Sequence, residues 1–286
     1  MISATPNPTS SINLAIASVT VHAVLVPVVA WITWKHGKKG LVCWPLLLSY
    51  LATRIAGDVY IVARRHEPGV GNTFTSTVDA GLVTCLTLAL MGVVYEVNIV
   101  SRRKPQWLRQ RIILGTDHLI NIAGIGIASY GGTHDDSTES GIKNAMLAKV
   151  GHLVVVAALV MLCGWLGWTA RHIWSIRSTR TYFGTYVMLL TGGVALGFHA
   201  IRVAHEVTFA FSRLGSLDPV SGSLATKLVL VYGAELCVVL LMIVGGVCGK
   251  NLRQAQVADN LGPESIGDRI NRQEDELCAT GHAFKT

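Results

Sequence analysis

Charge is scarce in this sequence. Only 14% of its 286 residues are Asp, Glu, Lys or Arg, whereas 51% are hydrophobic and the mean hydropathy is +0.47. A water-soluble core does not need that much apolar material, so the surplus calls for lipid. Sharp chemical motifs are missing too. The chain has no Gly-x-x-x-x-Gly-Lys phosphate loop, no Gly fingerprint for a dinucleotide, no His-Glu-x-x-His and no cysteine pair at zinc spacing. No cofactor and no metal site are therefore expected. Cysteine is sparse outside the apolar runs: Cys43, Cys85, Cys163, Cys237 and Cys248 lie in or beside them, and Cys278 falls near the end of the chain. That distribution implies no disulfide on an external face. The Asn-x-Thr triplet at Asn7 contains Pro8 and cannot accept a glycan.

What is abundant is apolar sequence in long runs. A helix that crosses a bilayer needs about 20 mostly apolar residues. Seven such runs occur, at 12–34, 41–63, 77–100, 112–130, 146–170, 183–211 and 224–248. The expected fold is an all-α membrane protein, a bundle of seven transmembrane helices. Its parts are an exoplasmic N-terminus (1–11), the helical domain (12–249) and a cytosolic, disordered tail (250–286) that mixes charges with few large apolar residues. The first run lacks a basic flank and is too long for the apolar core of a signal peptide, so it reads as the first span.

Orientation follows from Lys and Arg, which gather in short cytoplasmic loops. Lys35, Lys38 and Lys39, then Arg102, Arg103, Lys104, Arg109 and Arg111, then Arg171, Arg177 and Arg180 alternate with loops that balance Arg64 and Arg65 by Glu67, carry Asp135, Asp136 and Glu139, or pair Arg213 with Asp218. The N-terminus is thus expected outside and the C-terminus in the cytosol. The net charge of +7 reflects topology and contact with anionic lipids, not nucleic-acid binding. Trp31, Trp34, Trp44, Trp165, Trp168 and Trp174 sit near span ends, as interfacial aromatics do. Clustered glycines (Gly192, Gly193 and Gly197; Gly245, Gly246 and Gly249) fit close helix packing within one bundle. The oligomeric state is not legible.

The informative residues are ionisable ones inside the runs, because a charge at the bilayer centre costs about 2.5–3.5 kcal/mol even on lenient scales. Arg54 and Asp58 are four apart, as are Arg202 and Glu206, so each pair shares a helix face. His199 is on the face of Arg202, and His205 is turned away from it. Counted from the nearest loop, Arg54, Asp58, Asp79, His152, Arg202, Glu206 and Lys227 all fall in the exoplasmic half, where they are expected to line one polar cavity. Glu235 lies mid-span with no partner on its own helix, which makes it the leading single candidate for a proton carrier, acid catalyst or substrate contact. A second group, Glu96, Asp117, His118 and Asn121, lies towards the cytosolic ends of the third and fourth spans. Against these readings stands a plainer one, that the charges only fix how helices pack, with Asp79 and Lys227 reaching interfacial water. His134, Asp135 and Asp136 read as a solvated loop and not as a metal site. No pair of carboxylates stands out as catalytic.

Three stretches, Leu-Leu-Leu-Ser-Tyr-Leu-Ala-Thr-Arg-Ile-Ala-Gly (46–57), Ala-Ile-Arg-Val-Ala-His-Glu (200–206) and Asp-Pro-Val-Ser-Gly-Ser (218–223), followed by Glu235 and a Gly-rich end, resemble an uncharacterised fungal seven-helix membrane family. The resemblance covers most of residues 12–250. More loosely, the chain is similar to fungal lipid-translocating exporters, which have seven helices and an Arg followed by a Glu in a late helix. These resemblances imply a role in fungal secondary metabolism and no fixed activity. Two function classes stay open. One binds, senses or moves a small lipophilic molecule, with membrane lipids as its other partners. The alternative is a membrane-embedded enzyme on a lipid or isoprenoid, akin to the compact terpene cyclases, with Glu235 as the acid. A retinal protein is disfavoured because Lys227 lies near the mouth of its helix. A receptor of the G-protein-coupled type is disfavoured by the missing external cysteines and Asp-Arg-Tyr.

Overall fold

A computed structural model describes residues 8–64, 73–101, 107–133, 142–176, 183–218 and 222–249. Expectations about the N-terminal segment, the tail, His134, Asp135 and Asp136, and the loop charges Arg65, Glu67, Arg102, Arg103, Lys104, Glu139, Arg177 and Arg180 fall outside those residues.

Seven helices are long and apolar enough to cross a membrane. They are α1 (Pro8–His36), α2 (Trp44–Ala63), α3 (Thr73–Ser101), α4 (Trp107–Gly132), α5 (Ala145–Ile176), α6 (Phe183–Ser212) and α7 (Leu224–Gly249). Local signals set their ends. Gly37, at φ +59°, stops α1 in a left-handed conformation that glycine enters without cost, and a short 3-10 turn (Gly37–Val42) leads into α2. Pro45 sits in the first turn of α2, where its missing N–H is no loss. Asn144 and Ser223 cap α5 and α7 by accepting from Leu147 N and Thr226 N at 3.0 and 3.1 Å. Arg213, at φ 53°, ends α6.

The spans read from hydropathy agree with these helices and fall short at several ends. Apolar character fades where a helix leaves the hydrocarbon layer, but its backbone hydrogen bonds continue. The clearest case is α5, which runs past Ala170 to Ile176.

The helices pack mainly against their chain neighbours, and α1 also meets α7. α3 is the hub, touching α2, α4, α5 and α6, and its stretch from Leu82 to Asn98 is nearly all enclosed. Lipid is as apolar as leucine, so close backbone approach decides such packing more than hydrophobicity does. α4 and α5 illustrate this. A Cβ on Gly151 would run into the Ala128 backbone, and one on Gly124 would lie 2.9 Å from Val155 N. At the other side of the bundle Gly184 and Gly245 let α6 and α7 close in a similar way.

One irregularity bears on how Glu235 is presented. α7 opens with a single α turn (Leu224–Thr226), passes through a π-helical segment (Lys227–Gly233) and is α-helical only from Ala234. Ala234 N reaches back to Val229 O, the five-residue step of a π-helix. Such segments are frequent at functional sites. This one carries Tyr232 and sets the facing of Glu235.

Candidate functional site

Glu235 is the hub of a buried ion network. It is 1% exposed, and its two oxygens are shared between two arginines from different helices. Oε1 accepts from Arg202 Nε at 3.0 Å, and Oε2 accepts from Arg54 Nη1 at 3.2 Å and from the Tyr50 hydroxyl at 2.9 Å. The expected lack of a partner held only along its own helix.

From Arg54 the network continues through α2. Arg54 Nε donates to Asp58 Oδ2 at 3.1 Å, the i, i+4 pair expected from sequence. Asp58 also accepts from Ser18 on α1 at 2.5 Å and from Tyr232 on α7 at 3.1 Å. The Arg54 guanidinium lies over the Tyr232 ring, 3.7 Å from its centre, so one face of the cation is covered by an aromatic quadrupole.

From Arg202, which has no exposed surface, the network continues to α3. Nη2 donates to Asp79 Oδ1 at 2.6 Å, so Asp79 is an ion-pair partner and not a group merely solvated at the interface. Nη1 lies 2.8 Å from Glu206 Oε1, again the i, i+4 pair. That contact is off the N–H direction and is a charge contact without a hydrogen bond. Asp79 and Glu206, from two helices, thus meet at one guanidinium. No carboxylate pair stood out in the sequence, because Asp79 and Glu206 lie on different helices and meet only in the fold.

Five helices thus contribute to one network in which two guanidinium groups face four carboxyl groups. This excess of acid over base is chemically informative. With four carboxyl groups to two guanidinium groups, the network can accept a proton or cation without being left with a net positive charge.

Other expected site residues fall elsewhere. His199 is fully buried one turn from Arg202, and its Nε2 meets Thr87 Oγ1 on α3 at 2.7 Å. His152 is half-buried on α5 and donates Nδ1–H to Ala148 O at 2.7 Å, outside the network. His205 is buried but bonds to no member of the network. Lys227 is buried at the start of the π segment, within electrostatic reach of Asp218. The second expected group divides. Glu96 joins His36 at 2.5 Å and the Trp44 indole at 3.1 Å, whereas Asp117 and Asn121 face a different seam and His118 is only half-buried. Depth alone had put them together, and rotation about each helix axis separates them.

Sequence reasoning missed Tyr50, Ser18, Tyr232 and His36. His36 Nε2 meets Gly246 O at 2.9 Å while Nδ1 meets Glu96, and this pair ties α1, α3 and α7 together. Their signal in sequence is weak, since Ser and Tyr are common in membrane helices and His36 sits at a helix end. Among the described residues no cluster of His, Cys, Asp and Glu is arranged to hold a metal ion.

Seven membrane-length apolar helices around an interior ion network define a multi-pass membrane protein. Within that class, the chain belongs to the family described as domain of unknown function DUF7702, matched over residues 9–252. No curated protein and no solved structure matches it.

Proposed function

We propose that the protein binds and moves a small lipophilic molecule across a membrane together with protons, with its N-terminus outside and its C-terminus in the cytosol. The observation that carries this reading is the division of the Glu235 carboxylate between Arg54 and Arg202. A ligand head group that accepts hydrogen bonds competes with Glu235 for both guanidinium groups. The displaced carboxylate, left in a low-dielectric interior, takes up a proton. Binding and protonation are then two sides of one equilibrium. Intramembrane acids and arginines serve such relays in many pumps and transporters. The loop charges support the orientation, and the resemblance to fungal lipid-translocating exporters supports the lipophilic cargo and a place in secondary metabolism.

A second reading, a membrane enzyme that protonates a lipid or isoprenoid, is favoured by one feature, the two carboxyl groups of Asp79 and Glu206 gathered at Arg202. Glu235 itself fits that role poorly, because it accepts three hydrogen bonds and has no proton to give in this arrangement. Lipid-soluble metabolites inside and outside cells distinguish the readings. They are compared between a deletion strain and strains restored with wild type, Arg202→Ala or Glu235→Gln. Transport predicts a product that is made but misplaced in the deletion and both variants. A product that is absent altogether supports the enzyme, and an unchanged distribution refutes both.

A further inference from the structure

A second polar feature lies where α3, α4 and α5 meet, and the ion network does not include it. Gln110, Asp117 and Asn121 share one face of α4, and each is at most 1% exposed. Thr87 and Asn98, eleven residues and about three turns apart, share one face of α3 and are equally enclosed. Some of their atoms are paired. Trp165 Nε1 donates to Gln110 Oε1 at 3.0 Å, and Asn98 Nδ2 donates to Thr169 Oγ1 at 2.7 Å.

The remaining atoms are not. Gln110 Nε2, Asn98 Oδ1, both oxygens of Asp117, both amide atoms of Asn121 and His199 Nδ1 are buried without a hydrogen-bond partner among the described residues. Left dry, these seven atoms would cost more than the whole stability margin of a typical domain. They include donors and acceptors, a mixture that water satisfies and that a bare cation or anion does not.

Helix register puts the groups at matching levels of the bundle. The Asn98–Thr169 bond fixes α3 against α5, which puts Thr87 at the level of Ala158. The contacts of Gly124 and Gly151 fix α4 against α5, which puts Asn121 at that same level and Asp117 near Leu162. Along α4, Gln110 and Asp117 are about 10 Å apart and Asp117 and Asn121 about 6 Å, gaps that a few bridging waters span. Thr87 then hands the path to His199. Because the Thr87 hydroxyl donates to Val83 O at 2.9 Å, its oxygen accepts Nε2–H from His199, and the free Nδ1 carries a lone pair. One turn further along α6 is Arg202.

We infer that this seam is a hydrated column that conducts protons between the basic end of the bundle and the Arg202 network, with Asp117 as its proton-holding group. The inference rests on the proton-coupled reading only for where the proton goes. Among the described residues Asp117 makes no ion pair, and neither of its oxygens has a hydrogen-bond partner. Glu96 is turned away to His36 and Trp44. On α6 the titratable group of the column is His199. Each transfer is balanced. Asp117 O–H releases a proton to the water beside Asn121, that water protonates His199 Nδ1, the imidazolium passes that proton through water to a carboxylate at Arg202, and the Asp117 carboxylate is reprotonated from the water beside Gln110.

The test is infrared spectroscopy of the full chain in lipid nanodiscs. A protonated-carboxyl C=O band is expected that shifts when H2O is replaced by D2O and is absent in Asp117→Asn but present in Glu206→Gln. A band that survives in Asp117→Asn, or one that does not shift in D2O, overturns the inference. Should Asp117→Asn fail to fold, Asn121→Leu provides a second reading. Loss of its water contacts is expected to slow deuteration of the band about tenfold, and an unchanged rate overturns the path through Asn121. Failure here leaves the distribution of metabolites in Arg202→Ala cells unaffected, and failure of the transport reading leaves this spectrum unaffected.

Discussion

Replacing Arg202 by Gln tests whether the ion network acts as one unit. Arg202 is wholly enclosed and is the cation facing Asp79 at 2.6 Å, Glu206 at 2.8 Å and one oxygen of Glu235 at 3.0 Å. Its loss strands Asp79 and Glu206 and leaves Glu235 to Arg54, which also serves Asp58. Breaking a single buried pair from one side costs about 3–5 kcal/mol, and Arg202→Gln breaks more than one. Glu235→Gln is milder. Arg54 keeps Asp58, Arg202 keeps Asp79 and Glu206, and the Gln amide oxygen still accepts from one arginine, so about one charge-assisted bond is lost, at about 1.5–3 kcal/mol. The double variant removes one charge of each sign and should cost less than the sum, with a coupling of about 0.5–3 kcal/mol. The assay is denaturant unfolding in mixed micelles. It is followed by a thiol-reactive dye on a chain that keeps Cys43, which is free and fully buried, as its sole cysteine. A wild-type midpoint for Arg202→Gln, or strict additivity in the double variant, refutes the network.

Tyr50→Phe deletes a hydrogen bond to a charged acceptor, Glu235 Oε2 at 2.9 Å, and should cost about 1.5–3 kcal/mol in the same assay; no change would mean that the bond is not made. Gly151→Val drives a side chain into the Ala128 backbone and should overpack the α4–α5 contact by about 1–3 kcal/mol, whereas a neutral result would contradict that close approach. Glycan acceptor sites placed within 134–141 should be modified and those within 102–106 should not. The reverse pattern overturns the orientation.

Length and hydropathy made the seven helices legible, because bilayer thickness imposes one dimension on every span. Single-helix geometry made Arg54–Asp58 and Arg202–Glu206 legible for a similar reason, since spacing of four fixes proximity without knowledge of the fold. What needs two helices was not legible. Asp79 and Glu206 are more than a hundred residues apart in sequence, and their contact depends on how α3 and α6 are rotated about their axes. Glu235 was singled out by depth, but its partners depend on the π segment of α7, which turns the chain after Lys227 and leaves no mark in composition. Asp117 was grouped with Glu96 because both lie towards the same end. The structure assigns them to opposite sides of α3.

The claim that most needs testing is that ligand and proton share the Glu235 network. The measurement is the internal pH of proteoliposomes containing a trapped pH-sensitive dye, recorded on addition of the lipid-soluble metabolite that the deletion strain misplaces. Wild type is expected to give a proton flux in step with metabolite movement, and Glu235→Gln is expected to give neither at comparable protein content. Metabolite movement with no pH change in wild type, or an unaltered coupled flux in Glu235→Gln, would contradict the account.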